Sequence, residues 1–236
     1  MGWAEYFDGG RLQWALSELS YHSSIEHVAS RWIKRVIWRG PGHEPRMALT
    51  FDDGPHPEFT PRLLEILTKL DVTATFFVIG KHVERHVSIA EAIRDRGHEL
   101  ANHTYTHRLL PVLSRTSIRE EIEKTHDVIE SIQGRPTRWI RPPMGLATAH
   151  VLNVVEEMQY HTVVGDVYPR DPHRPGRDKI VRRILDRSRN GSIVILHDSG
   201  TTERVDRSQT LDAVATVVPR LRDRGYRFCT LSELLA

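Results

Sequence analysis

Met47-Ala48-Leu49-Thr50-Phe51-Asp52-Asp53-Gly54-Pro55 passes from a short apolar run straight into a turn. The run predicts a strand over residues 47–51, and Asp-Gly-Pro supplies the turn that ends it. Two adjacent carboxylates therefore sit at the C-terminal tip of a strand, where α/β enzymes keep their chemistry. Adjacent aspartates repel each other, so a fold that holds them together usually gives a cation to one and a proton-handling task to the other. Taken alone, these residues favour the plainer reading of an ordinary turn; the rest of the chain reverses that preference.

Downstream of Arg46, β-rich apolar runs alternate with helical patterns, which implies a parallel sheet joined by crossover helices. Further strands are expected at residues 73–79, 99–102, 138–140, 161–164, 192–196 and 227–230. Helices are expected at 61–70, at 83–96 before Gly97, at 117–132 opened by a Ser117/Glu120 capping pair and closed near Gly134, and at 210–224 before Gly225. The reading is an α/β fold, a (β/α) barrel of about seven parallel strands occupying residues 46–236.

Upstream, residues 1–45 read as a helical extension. Leu12, Ala15, Leu16 and Leu19, then Ile25, Val28, Ala29, Trp32, Ile33 and Val36, follow amphipathic spacing, with Ser23 and Glu26 placed as a capping box. Arg31, Lys34, Arg35 and Arg39 are interleaved with Trp32, Ile33, Ile37 and Trp38, so residues 24–39 are compatible with peripheral contact to an anionic membrane. A helix packed on the barrel with its basic side chains outward is the simpler expectation. Glu5 and Asp8 stand where an export signal needs basic and then apolar residues, and no run approaches a membrane span of about 18 apolar residues.

Composition excludes more than it identifies. In 236 residues, 33 basic against 31 acidic side chains leave a net charge of +2, which gives no reason to expect nucleic acid as a partner. The single cysteine, Cys229, rules out an intrachain disulfide and a thiolate metal site.

Chemistry-bearing residues recur after the later strands. His103 and His107 are four apart; on one helical turn that spacing would bring both rings to one side, close enough for one cation. With Asp53 as a carboxylate from another strand end, they would form a set that leaves coordination positions open, as catalytic zinc sites do. Arg141-Pro142-Pro143-Met144-Gly145 follows another strand. Its prolines stiffen the loop, so Arg141 is held in place and the Met144 amide can face a ligand. Asp166 and Asp171 bracket the segment after the next strand, and Leu196-His197-Asp198 ends the one after that, where a histidine of ordinary pKa near 6.5 suits acid/base work. Placement always on the C-terminal side of a strand is hard to obtain by chance.

In this order, Thr50-Phe51-Asp52-Asp53-Gly54-Pro55, His103-Thr104-Tyr105-Thr106-His107, Arg141 to Gly145, Asp166 to Asp171 and Leu196-His197-Asp198 resemble the motif series of the polysaccharide deacetylases, carbohydrate esterase family four. Residues 74–80 and 97–103 extend the resemblance, which runs from Arg46 to the C-terminus. It implies a distorted (β/α) barrel and metal-dependent removal of acetyl groups from N-acetylated aminosugar glycans such as chitin oligomers or peptidoglycan. Carried over position by position, Asp53, His103 and His107 would ligate zinc, or cobalt, nickel or manganese. Asp52 would be the general base, Arg141 would hold Asp52 ionised, and Asp171 would pair with His197 as general acid. Met144 would supply an oxyanion amide, with Pro143, Tyr168 and Leu196 around the substrate. The resemblance also implies work at the cell envelope or outside the cell.

Two departures bear on substrate. Met144 replaces a frequent aromatic residue, which a backbone donor tolerates. Gly165 and Pro172 replace tryptophans common in the family, so the groove should be shaped differently. Competing readings are an amidase or deformylase of the same fold acting on a lipid-linked sugar or small amide, and a catalytically silent sugar-binding module.

Overall fold

The structure, a computed structural model, describes residues 35–236. The first expected helix and most of the second fall outside the described residues.

The elements run β1 (Val36–Ile37), β2 (Arg46–Asp52), α1 (Phe59–Lys69), β3 (Thr75–Val78), α2 (Gly80–Arg85), α3 (Val87–Asp95), β4 (Glu99–Asn102), α4 (Arg115–Gln133), β5 (Trp139–Ile140), α5 (Ala149–Glu157), β6 (His161–Val163), α6 (Arg177–Arg187), β7 (Ile193–His197), α7 (Ser208–Asp223), β8 (Arg227–Phe228) and α8 (Leu231–Leu234). The strands form one parallel sheet in the order β1-β6-β5-β4-β3-β2-β7, with β8 pairing with β2. The sheet curls, and its seam is irregular. Between the β1/β6 edge and β7 only single bridges connect among the described residues, Val167 (after β6) to Val194 and Arg39 (after β1) to Ser192, while the Ile193 amide donates to Asp166 Oδ1 at 3.0 Å. The barrel is distorted because this seam replaces a regular strand pair.

Strand periodicity decides what faces inward. In β2, Met47, Leu49 and Phe51 pack outward in the large core shared with the helices, whereas Ala48 belongs to the smaller core with Phe77, Ala101 and Ile193. Thr50 and Asp52 share the parity of Ala48 and reach Arg141 across the barrel. Helices cover the outer face with apolar stripes such as Phe59, Leu63, Leu64 and Leu67 of α1, all buried. Each Leu- or Phe-sized side chain so buried stabilises by roughly 1.5–3 kcal/mol.

Three local expectations, those for Val36, for the helix over 83–96 and for the cap of α4, are corrected. Val36, read on a helical stripe, lies instead in β1, paired with Thr162; as a β-branched residue it suits a strand edge. Arg35 binds Glu156 through Nε at 2.7 Å, so this end of the basic, aromatic stretch docks on α5. The helix expected over 83–96 is two helices, because His86 leaves helical geometry (φ −130°, ψ 50°) and its ring reaches Glu203. The cap of α4 is Ser114, whose hydroxyl accepts from the Ser117 amide at 3.1 Å; the helix starts a turn earlier than a Ser117/Glu120 cap implied.

Candidate active site

Asp53 follows β2, and His103 and His107 follow β4. Their ligand atoms all lie within 4.8 Å of one another. Asp53 Oδ1 is 3.4 Å from Nε2 of each histidine. The expected helical turn is absent: residues 103–109 are a loop, and Thr104 and His107 take left-handed φ of 67° and 57°. The rings converge (centroids 4.9 Å apart) because the loop is tied down, not because of helical spacing. The Thr104 amide donates to Asn102 Oδ1, and the Thr106 amide donates to the Glu121 carboxylate on α4, both at 2.8 Å. Asp53 (φ 73°) and Met144 (φ 61°) are also left-handed, so backbone conformations that cost side-chain-bearing residues energy gather at this site.

The three donors fit a divalent cation. Asp53 Oδ1 is buried without a hydrogen-bond partner, which a cation between the donors would satisfy. His103 Nδ1 is 2.6 Å from the Arg141 carbonyl, which as acceptor fixes that nitrogen as N–H and leaves Nε2 turned towards Asp53. Burial and the neighbouring His103 push His107 down to about 4, so its ring is neutral at pH 7. Burial works against the Asp53 anion, but His103, with His197 and His107 beside it, outweighs burial and holds the carboxyl below the usual carboxylate range. His82 on α2 holds the Asp53 backbone, its Nδ1 2.8 Å from the carbonyl.

Asp52, the last residue of β2, is buried and accepts from Arg141 Nη1 at 2.5 Å. The same nitrogen is 2.8 Å from Thr50 Oγ1, and Nε donates to the Val163 carbonyl at 3.3 Å. The guanidinium lies 4.1 Å above the Phe77 ring. Burial lowers the Arg141 pKa and Asp52 opposes that shift. Across the cleft, His197 ends β7. Its Nδ1 is 3.1 Å from Asp171 Oδ1, and its amide donates to Asp171 Oδ2, which also accepts from Thr210. Burial would lower the His197 pKa, but the Asp171 charge and hydrogen bond outweigh it and raise the ring to about 9.

These groups line one cleft of about 400 Å³, together with Met144, Tyr168, Pro172 and Arg207. Tyr168 packs edge-on to His197, and burial pushes its hydroxyl pKa up. Met144 is half exposed at the rim. Leu196 is not at the site: period-two alternation turns it into the outer core, and Ile195 faces the cleft instead. Pro143 is buried in the turn that presents Met144 and does not line the cleft. Asp166 belongs to the barrel seam, where it accepts from Ile193, Ser192 and Arg189.

Sequence reasoning missed several contributors. Thr50 carries the β2 parity that could have flagged it. Asp198 was quoted beside His197 without a role; it accepts from the Thr60 hydroxyl beneath the Asp53 turn, and burial pushes it up to about 7. Arg207, whose Nε donates to the Ser199 carbonyl at 2.6 Å, had no local signal.

The polysaccharide deacetylase family model matches residues 39–163. A peptidoglycan-N-acetylglucosamine deacetylase of Bacillus cereus is 38% identical over 202 residues, covering 85% of this chain and 92% of the relative. A chitooligosaccharide deacetylase of Sinorhizobium fredii is 37% identical over 206 residues, 84% of this chain and 96% of the relative. Among solved structures, the Bc1960 peptidoglycan N-acetylglucosamine deacetylase superposes with a TM-score of 0.83 at 31% identity, over 87% of this chain and 96% of its own. A CE4 family pseudoenzyme from Bacillus anthracis superposes with a TM-score of 0.78 at 33% identity, over 85% and 69%. The chain belongs to the polysaccharide deacetylase family.

Proposed function

We propose that this chain is a divalent-metal-dependent N-deacetylase that hydrolyses the acetamido group of N-acetylated aminosugar glycans, chitin oligomers or peptidoglycan, to free amine and acetate. The supporting observation is a carboxylate held by an arginine and an imidazole held by an aspartate, both lining one cleft beside an Asp/His/His cation trio. A divalent ion on Asp53, His103 and His107, zinc by the donor set, would supply Lewis acidity towards water and the acetamido carbonyl.

The chain's own groups do the rest. Asp52, oriented by Arg141, takes a proton from the attacking water. The Met144 amide, on a backbone already turned to positive φ, donates to the carbonyl oxygen as negative charge develops. His197, protonated at neutral pH through Asp171, gives its proton to the departing sugar amine. Tyr168 packs edge-on against the His197 ring. The glycan is the partner, and the relatives named for peptidoglycan and chitooligosaccharides support work at the cell envelope or outside the cell. No helix among the described residues is long and apolar enough to cross a membrane.

A silent sugar-binding module is the second reading, prompted by the pseudoenzyme among the structural neighbours. Asp52, Arg141, Asp171 and His197 weigh against it, since binding alone needs neither a general base nor an acid. Product analysis on N-acetylglucosamine oligomers and N-acetylated peptidoglycan tests the choice. Acetate with matching free amine supports the deacetylase; formate, or turnover only of a lipid-linked substrate, supports the amidase or deformylase; binding without product supports the silent module.

A further inference from the structure

The catalytic cleft adjoins a second one. A cavity of about 570 Å³ shares Thr201 with it and is reached past Thr106, the neighbour of His107, and His82, whose ring holds the Asp53 carbonyl. The reaction proposed above uses none of its charged residues. Lys81 comes from the start of α2 and Arg204 from the loop after β7, so two distant segments line one concavity with basic residues, unlike a solvated helix face. Arg85 adds a third. The lining contains one carboxylate, Glu203, and it is already engaged by His86 at 3.0 Å and Arg85 at 3.9 Å. Lys81 and Arg204 have no ion-pair partner among the described residues. A cleft with an excess of one sign concentrates its field on whatever enters.

We infer that this second cleft receives a carboxylate carried by the glycan next to the sugar being deacetylated, which makes the preferred substrate an anionic glycan and not a neutral chitin oligomer. The inference rests on the deacetylase reading for what occupies the first cleft. On an N-acetylated strand the carboxylate can come from a lactyl ether on the neighbouring sugar or from an acidic peptide attached to it. Lys81 and Arg204 recognise either by charge, without touching the reacting atoms.

The test compares the full metal-loaded chain with the double charge reversal Lys81→Glu/Arg204→Glu. Both residues are exposed, so the fold should survive. Three substrates are used: an N-acetylglucosamine oligomer, an oligomer alternating with lactyl-bearing sugars, and the latter with its peptide. Binding of each to the Asp52→Asn chain is measured alongside turnover. The double variant should raise KM for the carboxylate-bearing glycans by about tenfold, with kcat and the neutral substrate unchanged. Added salt should erase the difference. Preference already present without peptide assigns the carboxylate to the lactyl ether; preference appearing only with it assigns the peptide. Equal KM for neutral and anionic glycans, unaffected by the reversal, overturns the inference. Salt-sensitive, Lys81/Arg204-dependent binding with no acetate from any substrate would support the cleft's role and instead overturn the deacetylase reading.

Discussion

Arg141 Nη1 sits 2.5 Å from Asp52 Oδ1 inside the barrel, with both side chains buried. The guanidinium also meets Thr50 Oγ1 and the Val163 carbonyl, so one planar group spans β2, β5 and β6. A lysine ammonium cannot reproduce that fork. Arg141→Lys should therefore lower kcat by about 100-fold while metal content and circular dichroism stay as in the parent. Arg141→Ala should cost about 3–5 kcal/mol in urea unfolding, because the Asp52 charge is left buried and unpaired. Full kcat in the lysine variant would remove Arg141 from the positioning role.

Asp52→Asn keeps the shape of the proposed base and removes its basicity. Turnover should fall by at least about 100-fold, the usual scale of general base catalysis, with divalent-ion binding retained by Asp53, His103 and His107. His103→Ala should do the reverse and lose the ion first. Calorimetric zinc titration of the two chelated variants separates the roles; a stoichiometric, tight site in His103→Ala would exclude His103 as a ligand.

The acid role proposed for His197 should show in the pH profile. His197 is raised to about 9, with Asp171 outweighing burial. An acid works while protonated, so kcat should fall as pH rises through about 9. In Asp171→Asn the largest opposing pull is gone and only Asp53 and Asp52 still work against burial, so the limb should move to lower pH. Stability has the same sign: a raised folded pKa stabilises fully below about 6.5, and the gain is lost as pH rises through about 9. Urea midpoints should decline across that window in the parent and not in Asp171→Asn. A high-pH limb that stays in place would contradict the pairing.

Gly165, where the family commonly has tryptophan, is a backbone requirement here. Its φ is +106°, and a Cβ would lie 2.8 Å from Ile195 Cγ1 and 2.9 Å from the Ile193 carbonyl. Even Gly165→Ala should destabilise by about 2–3 kcal/mol in chemical denaturation, by adding a steric clash to a conformation that disfavours side chains. Pro172, by contrast, lines the cleft, so Pro172→Trp should change KM for glycans with the unfolding midpoint nearly intact. A stable Gly165→Ala would show that the seam yields more easily than this packing implies.

Much of the site was legible because its residues close strands whose ends turn chemistry can mark. Glu99–Asn102 has the bounds expected for it, Asp52, Asp53, His103, His107, Arg141 and His197 converge on one cleft, and Asp171 holds His197 from behind. What failed was local geometry that depends on tertiary partners. Helical spacing for His103 and His107 was the wrong reason for a correct proximity, since side chains from β4 and α4 shape that loop. Leu196 was assigned to the site although the alternation that puts His197 in the cleft turns its neighbour away. α5 is rich in valine, a weaker helix former, and α6 carries a clear apolar stripe at Ile180, Val181 and Ile184 but opens at Gly176 without a side-chain cap to mark its start. Val36–Ile37 is too short to announce a strand without its partner β6.

The most direct test of the central claim is acetate release from an N-acetylglucosamine oligomer by the full chain, as purified, after exhaustive chelation, and after zinc is restored, with Asp52→Asn carried through each step. Acetate should disappear on chelation and return with zinc in the parent, and stay near background in Asp52→Asn even when zinc is shown to be bound. Acetate that survives chelation, or that Asp52→Asn releases at the parent's rate, would contradict a metal-dependent deacetylase with Asp52 as its base.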